Sequence, residues 1–171
     1  MAPRPVTVRT ELRLRLVIPG ATPMEVRAGL RYDVTDPYAL QVSFHTSSAQ
    51  DGEVVEWTFA RQLLTDGISA PVGQGDVQVW PWTRAGEPVA CLSLSSPSGQ
   101  ALFELPLPEL VDFLTMTYEA VPTGCEGEFV DVDRELALLL WAEARHGRPL
   151  IVSALAARPV EGPVQADVAQ W

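Results

Sequence analysis

The sequence predicts an α+β domain in which antiparallel sheet precedes helix, and three observations carry that prediction. Apolar and polar residues alternate with period two through residues 6–59. A second, shorter run of strand-like segments follows a brief helical stretch at residues 61–66. Helical stripes then appear after each run. Strands in runs followed by helices are the pattern of α+β folds with antiparallel sheets.

The elements follow in order. In residues 6–18, Val6, Val8, Leu12, Leu14, Leu16 and Ile18 share one face, and Arg9, Glu11, Arg13 and Arg15 share the other. Pro19-Gly20-Ala21-Thr22-Pro23 breaks the chain with turn chemistry. The second strand points Met24, Val26, Leu30, Tyr32 and Val34 inward and Glu25, Arg27, Arg31 and Asp33 outward. After the Asp36-Pro37 turn, a third strand places Tyr38, Leu40, Val42 and Phe44 on one side. Residues 47–52 form a turn, and a fourth strand carries Val55, Trp57 and Phe59 on its core face. Arg61 to Asp66 reads as a short helix burying Leu63 and Leu64, with Gly67 ending it in the left-handed conformation.

Three more strands are expected at residues 76–82, 88–95 and 100–105. A helix follows from Pro108 to Tyr118, with a stripe of Leu107, Leu110, Val111, Leu114 and Tyr118. Proline suits a first helical turn, where a missing N–H is harmless. A last helix is expected from Asp131 or Asp133, with Leu136, Leu139, Leu140 and Trp141 on its apolar face. One domain over residues 1–146 and an Ala/Pro-rich appendage over 147–171 complete the expected organisation.

Charge narrows the function classes. The chain has 171 residues and a formal net charge of −10, and all twelve of its basic residues are arginine. Net negative charge argues against generic nucleic-acid binding, whose affinity comes from phosphate neutralisation. The charge is uneven: residues 1–34 hold six arginines against three acids, and the remainder six against nineteen. No apolar run approaches the roughly 18 residues of a membrane span, and no secretory leader is visible, so a cytoplasmic protein without stable membrane insertion is expected. Two isolated cysteines, Cys91 and Cys125, suit neither a disulfide framework nor a zinc site.

The segment from Phe59 to Pro81 is the most particular in the chain. It reads Phe-Ala-Arg-Gln-Leu-Leu-Thr-Asp-Gly, a loop, then Gly-Gln-Gly-Asp-Val-Gln-Val-Trp-Pro. With Asp36-Pro37-Tyr38-Ala39 upstream and Ser95-Ser96-Pro97 downstream, it resembles the SsgA-like regulators of sporulation-associated cell division in actinobacteria, over residues 10–143. The resemblance implies a Whirly-like fold, with two antiparallel sheets packed crosswise with helices, assembled as a homotrimer. It also implies a non-enzymatic role at the cell septum, with no cofactor. The partners it implies are division proteins such as the tubulin-like GTPase FtsZ and other SsgA-like proteins.

Individual residues divide between structural and functional readings. Gly73, Gly75 and Asp76 invite comparison with a phosphate loop, but a strand follows where a helix N-terminus would be needed, so a tight turn is expected. Alternation sets Gln78, Trp80 and Trp82 opposite Val77 and Val79. The two tryptophans must then be covered by the protein's own helices, by a subunit, or by a partner, in that order of preference. Arg9, Arg13, Arg15, Arg27 and Arg31 share the outward face of the first two strands. They are either a solvated face paired with Glu11, Glu25 and Asp33 or a patch that takes carboxylates of an acidic partner. His45 and His146 are read as surface residues, and Glu126, Glu128, Asp131, Asp133 and Glu135 as a solvated helix start lacking EF-hand spacing.

The resulting expectation is a trimeric scaffold that positions division proteins at septum sites. The alternative is a single-stranded nucleic-acid-binding module of Whirly type. Such a module needs a basic groove lined with stacking aromatics, and this chain has the aromatics without the charge.

Overall fold

The computed structural model describes residues 6–45 and 54–130. The architecture lies within a compact unit spanning Met1–Val132. The expected last helix, His146, the tail and the boundary after residue 146 lie outside the described residues. In order, the elements are β1 (Thr7–Val17), β2 (Met24–Asp33), β3 (Ala39–His45), β4 (Val54–Ala60), α1 (Arg61–Gly67), β5 (Val77–Arg84), β6 (Glu87–Ser96), β7 (Gly99–Pro106) and α2 (Leu107–Ala120). A single 3₁₀ turn follows at Glu126–Glu128.

The α+β, antiparallel expectation is met, but the strands form one sheet rather than two packed crosswise. Its order is β4-β3-β2-β1-β7-β6-β5. The reason is the length of β1. It pairs with β2 from Thr7 to Leu16, and its last residues also pair with β7, Arg15 with Glu104, Leu16 with Phe103 and Val17 with Leu102. Arg15 and Leu16 therefore have a neighbour on both sides. The run of four strands and the run of three meet at this three-residue seam. Beyond it, Phe44 and Phe103 stack across the two runs with ring centroids 4.3 Å apart.

One face of the sheet is the core face. Leu12, Leu14, Leu30, Val42, Leu92 and Leu105 are buried there, each side chain contributing roughly 2 kcal/mol of transfer free energy. The helices close this face with Leu64 from α1 and with Leu110, Phe113 and Leu114 from α2. The buried face of α2 is rotated from the expected stripe: Phe113 and Thr117 are buried, whereas Val111 is 39% exposed. Met24, Tyr38 and Val55, expected inward, are exposed because they stand at strand ends or on the sheet edge.

Gly67 also departs from expectation. Its backbone stays right-handed, since it is absent from the glycines with positive φ. Its value is space, because a Cβ at Gly67 would collide with the Val79 side chain. The Gly73–Asp76 segment is a turn, closed by reciprocal hydrogen bonds between Val72 and Val79 at 2.8 and 2.9 Å.

Candidate partner-binding surface

The face of the sheet opposite the core carries every residue proposed from the sequence. Antiparallel register sets those residues in rows across the strands. One row runs Arg9, Arg31, Gln41, Thr58, and another runs Arg13, Arg27, His45, Val54. A third runs Glu25, Arg15, Glu104, Cys91, Trp80. Arginines and tryptophans thus share one face, separated by β7 and β6, a span of roughly 14 Å at ordinary strand spacing.

The five arginines are only partly paired with acids. Arg9 lies directly opposite Arg31, and Arg13 directly opposite Arg27. Like charges in facing positions are destabilising. Arg13 reaches Glu25 at 3.5 Å, Arg15 reaches Glu104 at 3.7 Å, and Arg31 reaches Asp33 at 2.8 Å. Among the described residues, Arg9 and Arg27 have no ion pair. Between the arginine rows Gly29 faces Ser43, which leaves a shallow depression of about 530 Å³ bounded by Arg9, Arg31, His45 and Glu56.

Asp33 anchors one corner of this surface. Its carboxylate accepts hydrogen bonds from the Thr35 hydroxyl at 2.7 Å and the Thr35 N–H at 3.1 Å. Those bonds, led by the Thr35 hydroxyl and aided by Arg31, hold Asp33 below the usual carboxylate range. Asp33 is therefore a fixed anion that orients Arg31 and is not free to take a ligand cation.

The structure leaves Trp82 51% exposed and Trp80 half-buried, so among the described residues neither α1 nor α2 covers Trp82. The register partners of Trp80 and Trp82 on β6, Cys91 and Val89, are buried. Burial pushes the Cys91 thiol up to about 11, with Glu104 adding to the effect, so it stays protonated and inert at neutral pH. Between the arginines and the tryptophans sits a group that sequence reasoning missed. Glu104 meets Arg15, and Arg84 Nε approaches it at 3.1 Å. A lone carboxylate between Phe103 and Leu105 was the available signal. Alternation places it on the face shared with the arginines.

The other missed residue lies on the core side. Arg61 is 2% exposed. It donates from Nη1 to the Thr117 and Val121 carbonyls, both at 3.0 Å, and from Nη2 to Glu126 Oε1 at 2.8 Å. Glu126 was expected in a solvated acidic cluster. It is instead the counter-ion of a buried arginine, and its other oxygen accepts the Gly124 N–H at 2.6 Å. The pair joins the start of α1 to the end of α2 and is structural. Among the described residues there is no cluster of three or more metal-ligating side chains, and no helix is long and apolar enough to cross a membrane.

This surface presents charged side chains and exposed aromatic area, and comparison with known proteins identifies the family it belongs to. Residues 26–126 match the family model described as Streptomyces sporulation and cell division protein, SsgA. The chain is 56% identical over 135 residues to the sporulation-specific cell division protein SsgB of Frankia casuarinae, covering 79% of this chain and 92% of the relative. It is 49% identical over 134 residues to SsgB of Streptomyces coelicolor, covering 78% and 96%. The crystal structure of the SsgA-like sporulation-specific cell division protein from Thermobifida fusca superposes with a TM-score of 0.72 at 41% identity, over 81% of this chain and 98% of that one. With more than half its length matched by the family model and close relatives sharing the name, the chain belongs to the SsgA-like family of sporulation and cell division proteins.

Proposed function

We propose that the protein is a non-enzymatic regulator of sporulation-specific division, a Whirly-like homotrimeric scaffold that positions division proteins at septum sites in the cytoplasm. FtsZ is the partner the proposal names first, with other SsgA-like proteins beside it. The carrying observation is the pair of facing arginines, Arg9 with Arg31 and Arg13 with Arg27. A solvated strand face has no reason to accumulate such pairs, whereas a docking face for carboxylates does, because each guanidinium can hold a carboxylate by two parallel hydrogen bonds. Trp82, exposed on the same face, is the aromatic anchor. Three copies of one weak surface acting on a polymeric partner raise apparent affinity by about 10² to 10⁴ without new contacts.

The same face argues against the nucleic-acid reading. A single-stranded binder needs its basic track to run up to its stacking aromatics. Here Glu104 stands in the row that leads from Arg15 to Trp80.

Co-sedimentation with FtsZ polymers tests the proposal, using wild type, an Arg9→Glu/Arg27→Glu variant and a Glu87→Gln control. Loss of at least about tenfold in apparent affinity for the double variant alone is the expected result. Equal sedimentation of all three proteins would reject the arginine face.

A further inference from the structure

The two edges of the sheet are built differently, and the difference singles out β4. At the other edge, β5 is closed: Val79 exchanges both backbone hydrogen bonds with Val72, and Pro81, the next outward-pointing position, has no N–H to offer. The β4 edge has neither device. Among the described residues no strand pairs with its outer side, and it contains no proline and one charged residue, Glu56. Val54 and Val55 are 44% and 41% exposed.

The phase of that edge is fixed by the ladder on its inner side. The Arg61 N–H donates to the Tyr38 carbonyl at 2.8 Å in continuation of the β3–β4 register. Phe59, Trp57 and Val55 therefore point their backbone groups at β3, and Val54, Glu56, Thr58 and Ala60 point theirs outward.

We propose that the outer edge of β4 pairs with β4 of a second copy, antiparallel, about a two-fold axis through Trp57. This register uses the whole strand, Val54 to Ala60, and matches outward donors with outward acceptors. On the core face it sets Trp57 against Trp57 of the second copy in the closer, non-hydrogen-bonded type of pair, with Val55 against Phe59. On the arginine face it sets Glu56 against Thr58. The adjacent register centred on Glu56 would bring two carboxylates face to face, a repulsive arrangement. The chosen register covers exposed Val55 and the half-buried Trp57, which border an apolar depression of about 350 Å³ floored by Phe44 and Phe103. The contact is two-fold and isologous. Its symmetry differs from that of the threefold contact proposed for the scaffold, so the two predict different masses.

Directed cross-linking of the full chain tests it. In a Cys91→Ser/Cys125→Ser background, Trp57→Cys places two thiols on the axis, at a separation within disulfide reach, whereas Glu56→Cys places them diagonally apart. Mild oxidation is expected to give a covalent dimer with Trp57→Cys and at least about tenfold less with Glu56→Cys. Thr58→Pro removes an outward N–H without touching the β3–β4 ladder. It is expected to weaken self-association at least about tenfold while the far-UV spectrum and melting temperature hold. Thr83→Pro on the closed β5 edge is the matching control and leaves association unchanged. A wild type of strictly monomeric or trimeric mass, with no Trp57→Cys cross-link and no effect of Thr58→Pro, would overturn the two-fold contact. A strictly trimeric mass would do so while supporting the scaffold.

Discussion

Arg61, a charged side chain buried in the core, was the least legible residue of the fold. In the sequence it is a polar residue opening the short helix read over residues 61–66, and nothing there shows that it turns inward. In three dimensions its guanidinium lies 4.0 Å from the Tyr118 ring centroid and 4.8 Å from that of Tyr32, with two carbonyls and Glu126 taking its protons. Arg61→Met leaves the buried Thr117 and Val121 carbonyls and the half-buried Glu126 carboxylate without their donor, and a clear drop of the midpoint in a denaturant titration is expected. Arg61→Lys should recover less than half of that, because an ammonium cannot reach three acceptors in the guanidinium plane. The counter-ion sets the acid limb of stability. Hydrogen bonds from its own N–H and that of Gly124, together with Arg61, hold Glu126 below its ordinary 4.5. A carboxyl depressed in the folded state stabilises above its unfolded value, and that contribution is lost as pH falls through the lowered folded value. Unfolding midpoints should therefore drop below pH 4.5 in wild type. Glu126→Gln should follow a flatter curve, with Asp33, depressed chiefly by the Thr35 hydroxyl, leaving a residual slope. Cys91, pushed to about 11 by burial, should resist a thiol reagent at pH 8 that labels it readily in denaturant.

At the scale of elements the sequence was easiest to read, because alternation is enforced by the sheet itself. All seven strands fall within two residues of their expected bounds at each end, and the outward arginines stand where period two places them. Errors collected where packing rather than period decides. The α2 stripe was read from Leu107, Leu110, Val111, Leu114 and Tyr118, yet the buried face takes in Phe113 and Thr117, because the helix must also present its final carbonyls to Arg61. Gly67 looked like a helix terminator and is instead a gap for Val79, a contact no local pattern reveals. The β5–β6 turn shows local strain that can be relieved. Ala85 adopts φ 49° and Gly86 φ 87°, the left-handed pair of a tight hairpin. An L-residue pays about 1–2 kcal/mol in that region, partly offset by glycine's greater freedom when unfolded. Ala85→Gly is thus expected to stabilise by about 0.5 kcal/mol, seen as a higher denaturant midpoint at unchanged slope.

For the molecule as a whole, the topology was the part that sequence reasoning could not supply. Two runs of strands were visible, but that β1 would carry partners on both sides depends on where its last three residues meet β7. The seam matters for function, since it puts Arg15 and Glu104 in register and so joins the arginine rows to the tryptophans on one continuous face. The charged residues exposed on α1 and α2 are all acids, Asp66, Glu109, Asp112 and Glu119, whereas the opposite sheet face exposes Arg9, Arg13, Arg27 and Arg31 together with Glu11, Glu25 and Glu56. A protein of net charge −10 that keeps facing arginines on one surface is accepting a stability cost there. The direct test is to remove that cost and read stability and binding together. Arg27→Thr separates Arg13 from its facing charge, so a gain of about 0.5 kcal/mol in stability is expected. The same variant should lose binding to FtsZ polymers, with the remaining binding less sensitive to salt. Stability and binding moving in opposite directions is what a docking face requires. A variant that is more stable and binds as well as wild type would show that these arginines are only a solvated surface.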